Sequence, residues 1–131
     1  LYDAPCDPKL LSPLTLAFIG DGVFDLFVRE RLVCKANCPV NRLHGQAVQQ
    51  VNCRSQAAAV KKLLPLLTQE EEAVYKRGRN AHTNHVPKNS EPADYHAATG
   101  FEALFGYLYL KGELERLREL FSILCKEEPS A

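Results

Sequence analysis

The chain has 131 residues, with no methionine and no tryptophan. It also lacks an apolar run of the roughly 18 residues that a membrane-spanning helix needs. The longest oily stretch, Leu14 to Val28, is shorter and is interrupted by Asp21 and Asp25. No membrane partner is expected. The N-terminal LYDAPCDPK has no basic segment ahead of an apolar one, so it does not read as a signal peptide. With Leu at position 1, the native start is expected to be missing or processed. Strand-like alternation and low-complexity tracts are absent too.

Cysteines are few and odd in number: Cys6, Cys34, Cys38, Cys53 and Cys125. This is not the composition of a disulfide scaffold, and reduced thiols in a cytoplasmic setting are expected. Cys34, Cys38 and His44 lie close together, but C-x3-C without a second pair of thiols is a poor zinc pattern. Acids are missing altogether between Arg31 and Gln69. Residues 31–88 carry ten basic residues against three acids, a net +7 hidden inside a total of zero. Such a segment suits a polyanion if its charges share a face, and is otherwise ordinary solvated helix surface.

What is present is helical. The 46% hydrophobic content is enough for one domain over residues 1–131. Residues 1–11, broken by Pro5 and Pro8, read as a lead-in, and 126–131 as a frayed tail. Ser12-Pro13 starts a first helix reaching about Val33. Asn41 can cap a second over Arg42 to Val51, and Ser55 can start a third through Leu64, ended or kinked by Pro65. Thr68-Gln69-Glu70-Glu71 has capping-box spacing for a fourth helix to Arg77. Arg79 to Glu91 is polar and aperiodic and reads as an exposed loop. A fifth helix begins near Pro92 and ends at Lys111-Gly112. A sixth, amphipathic one spans Glu113 to Cys125. The fold class is all-α.

Two of these helices are alike. Leu14 to Val28 is apolar on every side, as a buried helix is, yet carries Asp21 at its middle. Ala97 to Leu110 is equally oily and carries Glu102. Gly20 and Gly100 lie beside these acids and would let two backbones approach. If the helices cross, Asp21 and Glu102 meet in a dry place and need a cation or a shared proton. Mg2+ suits such oxygen ligands, with Mn2+ as a substitute. The alternative is that each acid faces water or caps a neighbouring helix.

Phe18-Ile19-Gly20-Asp21 resembles the core of the ribonuclease III signature helix, and Phe101-Glu102-Ala103-Leu104-Phe105-Gly106 resembles that family's second acidic helix. Arg77-Gly78-Arg79-Asn80, Pro87-Lys88-Asn89 and Ala98-Thr99-Gly100 are similar to one branch, Mini-III, which has the endonuclease domain without a double-stranded-RNA-binding domain. The likeness runs from about Leu14 to Leu124. It implies a single helical endonuclease domain of the ribonuclease III type. It also implies a homodimer that cuts double-stranded RNA with Mg2+, and a role in maturing the 23S ribosomal RNA precursor. Asp21 and Glu102 occupy the family's catalytic, metal-binding positions. The pattern departs from the full-length enzymes in three places: Leu14 and Ala17 replace two upstream glutamates, and Thr99 replaces an aspartate. Fewer protein ligands leave more water around a metal, which Mg2+ accepts.

Asp25, one turn beyond Asp21, and Thr99, one turn before Glu102, are candidates for holding metal-bound water. Asp25 is equally suited to a surface role, and Thr99 to bonding its own backbone. Arg77, Arg79 and Lys88 suit phosphates, while Asn80 and Asn89 suit sugar hydroxyls. Arg54-Ser55-Gln56 could touch the other side of the duplex, and His82 and His85 either add charge below neutral pH or merely decorate the loop. Phe24, Phe27 and Val28 could line a two-fold interface or belong to the core. The competing functions are a catalytically inactive RNA-binding or ribosome-assembly protein of the same fold, and a helical interaction module with no RNA role.

Overall fold

Helix boundaries in this chain follow from capping chemistry. The computed structural model describes residues 2, 4, 6–81 and 86–126. Ser12 Oγ accepts the Thr15 N–H at 3.2 Å, and Pro13 opens α1 (Pro13–Lys35). Helix α2 (Val40–Gln50) starts earlier than expected: Pro39 is its N-cap and no side chain caps it. Asn41 accepts from the adjacent Arg42 N–H. Helix α3 (Cys53–Leu63) is capped by Asn52, whose side chain accepts the Ser55 N–H, so Ser55 lies inside the helix it was expected to start. A 3-10 turn, Leu64–Leu66, absorbs Pro65. Thr68 and Glu71 close the capping box of α4 (Gln69–Arg79). Gly112, at φ 85°, ends α5 (Pro92–Lys111) in the left-handed region that glycine tolerates. Helix α6 (Leu114–Lys126) closes the element order. Among the described residues there is no strand. A short 3-10 turn, Pro8–Leu10, interrupts the lead-in. Residues 82–85, with His82 and His85, and 127–131 of the tail lie outside the described residues.

Helix α5 is the centre of the molecule and packs against α1, α3, α4 and α6. Phe101, Leu104 and Phe105 on α5 are fully buried, as are Leu16 and Val28 on α1, Val60 and Leu63 on α3, and Leu117 and Leu120 on α6. Each such side chain contributes roughly 1.5–3 kcal/mol by leaving water. Phe24 stands edge-on to Phe101 at 5.0 Å and to Phe105 at 5.7 Å. Phe24 and Val28 are therefore intramolecular core. Phe27 is half-buried against Phe105 and Phe121.

The expectation that α1 is buried on every side does not hold. Phe18 is 83% exposed, and Leu14, Leu26 and Val33 are also exposed. One helix in a bundle can cover only one side of its neighbour, and the remaining apolar residues of α1 are left outward.

Two glycine pairs set how near the helices come. A Cβ at Gly20 would overlap the Glu102 carbonyl oxygen, and one at Gly106 would overlap the Leu16 carbonyl oxygen. The α1–α5 crossing is thus backbone against backbone. Gly100 serves a different crossing from the one anticipated. Its missing side chain makes room for Tyr75 of α4, while Gly78 of α4 lies against Gly100 and Ala103.

Candidate active site

Gly20 precedes Asp21, and the atom that Gly20 approaches is the carbonyl of Glu102 itself. The close crossing therefore carries the two carboxylates to the same place. Asp21 and Glu102 share a side-chain hydrogen bond. Asp21 is exposed, whereas Glu102 is half-buried beneath it. The pair sits at the rim of the core, not inside it, which corrects the dry site anticipated from the apolar flanks.

Burial pushes the Glu102 carboxyl up to about 8, and the hydrogen bond and negative charge of Asp21 push in the same direction. The Gln56 amide, beside it on α3, works against them. Two acids this close favour a shared proton or a cation between them. The donors are hard oxygens, which fit a divalent ion such as Mg2+. Among the described residues no third His, Cys, Asp or Glu joins them. An ion there would hold water in its remaining positions.

Asp25 pairs with Arg29 at 2.9 Å along the same helix. Thr99 is buried and its hydroxyl donates to the Tyr95 carbonyl at 3.0 Å. Arg77 and Arg79 are exposed on the last turn of α4, not in the following loop. Gly78 between them packs on Gly100, so they emerge where α4 crosses α5. Arg79 lies over the Tyr75 ring at 5.6 Å and donates to Asn80 at 3.3 Å. Lys88 and Asn89 are exposed beyond the undescribed residues. Asn89 and Arg54 meet across a polar cleft of about 340 Å³, which Asn52, Ser90, Glu91 and Asp94 also line.

Sequence reasoning grouped Gln56 with Arg54 as a duplex contact and missed its place beside Glu102. The available signal was its position: it shares a helix face with the buried Val60 and Leu63, where a polar side chain is out of place. None of the five cysteines forms a disulfide. No helix among the described residues is long and apolar enough to cross a membrane.

Residues 14–113 match the family model of the ribonuclease III domain. A Mini-ribonuclease 3 from Symbiobacterium thermophilum is 50% identical over 114 residues, which cover 87% of this chain and 88% of that protein. One from Thermoanaerobacter is also 50% identical, covering 86% of this chain and 80% of its own length. One from Enterococcus faecalis is 41% identical, covering 92% and 93%. A crystal structure of a Fusobacterium nucleatum protein superposes with a TM-score of 0.83 at 28% identity, covering 94% of this chain and 98% of that one. The chain belongs to the ribonuclease III family, in its Mini-ribonuclease 3 branch, and is an endoribonuclease.

Proposed function

We propose that Asp21 and Glu102 together hold a divalent cation, Mg2+ or in its place Mn2+, and that the enzyme hydrolyses the backbone of double-stranded RNA. The observation that carries this reading is the contact of the two carboxylates at a crossing too close for any side chain at position 20. When bound, such an ion supplies a water of lowered pKa and compensates charge at the phosphate. The protein's part is placement. Glu102 is held from below by the packing of α5, and Asp21 lies open to solvent, where a phosphate can reach it. Arg77 and Arg79, with Lys88, are suited to the flanking phosphates. Asn80, Asn89 and Arg54 are suited to sugar hydroxyls and the far strand. The natural substrate is the 23S ribosomal RNA precursor, and the setting is cytoplasmic.

The enzyme acts as a homodimer through α1. At about 100° per residue, Leu14, Phe18, Gly22, Leu26 and Val33 share an arc of roughly 120°. Four of these are exposed apolar side chains. Phe18, 83% exposed, could enter the partner. A two-fold on this face sets two sites against the two strands of a duplex.

The test is cleavage of a long double-stranded RNA with Mg2+, comparing wild type with Asp21→Asn and Glu102→Gln. Wild type is expected to give products with short overhangs. Both variants are expected to be inactive while still binding RNA. Equal cutting by either variant would overturn the two-carboxylate site.

A further inference from the structure

Gln56 is 4% exposed, and its Nε2 has no hydrogen-bond acceptor. Buried amides are nearly always paired, since an unpaired one forfeits its hydrogen bonds to water without replacement. This one belongs to α3, which packs on α5, and it lies beside the Glu102 carboxyl. Glu102 is engaged with Asp21 as well. The amide is thus within reach of the Glu102 carboxyl, without a well-formed hydrogen bond from Nε2 to it.

We propose that Gln56 is a positioning residue for Glu102: its Nε2 donates to one carboxylate oxygen and leaves the other to face a cation shared with Asp21. The proposal rests on the reading of Asp21 and Glu102 as a cation site. The residue type is what the task requires. A lysine or arginine at this point would neutralise Glu102 and compete with the metal. A third acid would add charge to a place already crowded with it. An amide orients the carboxylate by a neutral donor, as hydrogen-bond partners of metal ligands commonly do. Packing also fixes the amide. Ala57, Val60 and Leu63 hold the rest of this helix face in the core, so the amide has little freedom to turn away.

The experiment is Mn2+ binding to the RNA-free protein, by calorimetry, for wild type, Glu102→Gln and Gln56→Met. Thermal melts in chelator are run beside it. Methionine keeps the length of the side chain and removes the unpaired donor. Gln56→Met is expected to melt at or above the wild-type temperature in chelator, yet to bind Mn2+ about 10–100-fold more weakly. A purely structural role would do the reverse, lowering the melt and leaving the affinity of the folded protein unchanged; that result overturns the proposal. In the wild-type protein, Mg2+ should also shift the side-chain amide resonances of Gln56, and Glu102→Gln should abolish that shift. Unshifted resonances on a protein that binds Mg2+ would count equally against it. If wild type binds no Mn2+, the cation-site reading falls and this proposal with it. If wild type binds and Gln56→Met binds as well, only the role of Gln56 falls.

Discussion

The carbonyl oxygen of Glu102 fills the space that a side chain at position 20 would occupy. Gly20→Ala therefore forces α1 and α5 apart at the point where Asp21 meets Glu102. Overpacking of this kind typically costs about 1–3 kcal/mol, and backbone against backbone should lie at or above the upper end. Gly45→Ala, in the middle of α2 with nothing near its missing Cβ, should stabilise by about 0.5–1 kcal/mol. Urea denaturation of the two variants checks both signs. RNA cleavage should fall with Gly20→Ala alone.

Glu102 makes stability depend on pH in the metal-free protein. Its carboxyl is raised to about 8 in the folded state and returns to an ordinary value near 4.5 on unfolding. Between those values the folded protein holds one more proton than the unfolded chain. Stability should then fall as pH rises from about 5 to 8, with a slope approaching about 1.4 kcal/mol per unit. Denaturation in chelator across this range should show the slope, and Glu102→Gln should remove it.

Arg116 ties α6 to the start of α4. Its Nε and Nη2 donate to Glu71 at 2.8 Å each, and Nη2 also donates to the Leu66 carbonyl. Glu71 accepts the Thr68 N–H as well, so one carboxylate serves both the capping box and the ion pair. Burial alone would raise the Glu71 pKa, but Arg116 and Thr68 outweigh it and hold the carboxyl below its usual value. Its contribution is present at neutral pH and is lost as pH falls through the carboxylate range. Arg116→Met should cost about 2–3 kcal/mol, less than a fully buried pair because Arg116 keeps some solvent contact. Thermal melts at pH 7 and pH 3 should show the loss at the first and much less of it at the second.

Arg77 and Arg79 are the test of the RNA face. Replacing either with Ala should weaken binding to duplex RNA across sequences and lower the steepness of its salt dependence by about one charge. Binding assays from 50 to 200 mM salt (roughly the range over which phosphate contacts are lost) would measure this. Melting temperatures should barely move, since both side chains are exposed.

Phe18 is the test of the dimer. Phe18→Asp should shift the protein to a monomer in sedimentation velocity without lowering monomer stability, because the ring buries little in its own chain. Loss of double-strand cutting should accompany the shift.

Much of this was legible beforehand because it is local. Ser12-Pro13, Thr68 with Glu71, and Lys111-Gly112 are signals within one turn, and each boundary they mark is where the helix begins or ends. Asp21 and Glu102 were legible as lone acids on oily helices. Asn41 and Ser55 misled because a capping side chain reports only what it can do, and Pro39 and Asn52 took those roles. Arg79 reads as loop because α4 runs on past its periodic residues to place Gly78 against Gly100.

By itself, then, the order of residues determined an all-helical chain, the helix boundaries marked by Ser12-Pro13, Thr68 with Glu71 and Lys111-Gly112, and the family, and it singled out the two acids, since these depend on neighbours within a turn or on matched strings. Which face of α1 turns inward was left to tertiary structure, because an apolar helix has no polar side to declare its orientation. Phe24 and Val28 went to the core and Phe18 to the surface for reasons that lie in α5. The same is true of Gly106 as the partner of Gly20, and of Gln56 beside Glu102. These are contacts between residues far apart in the chain, and only the packing of α1 and α3 onto α5 brings them within reach.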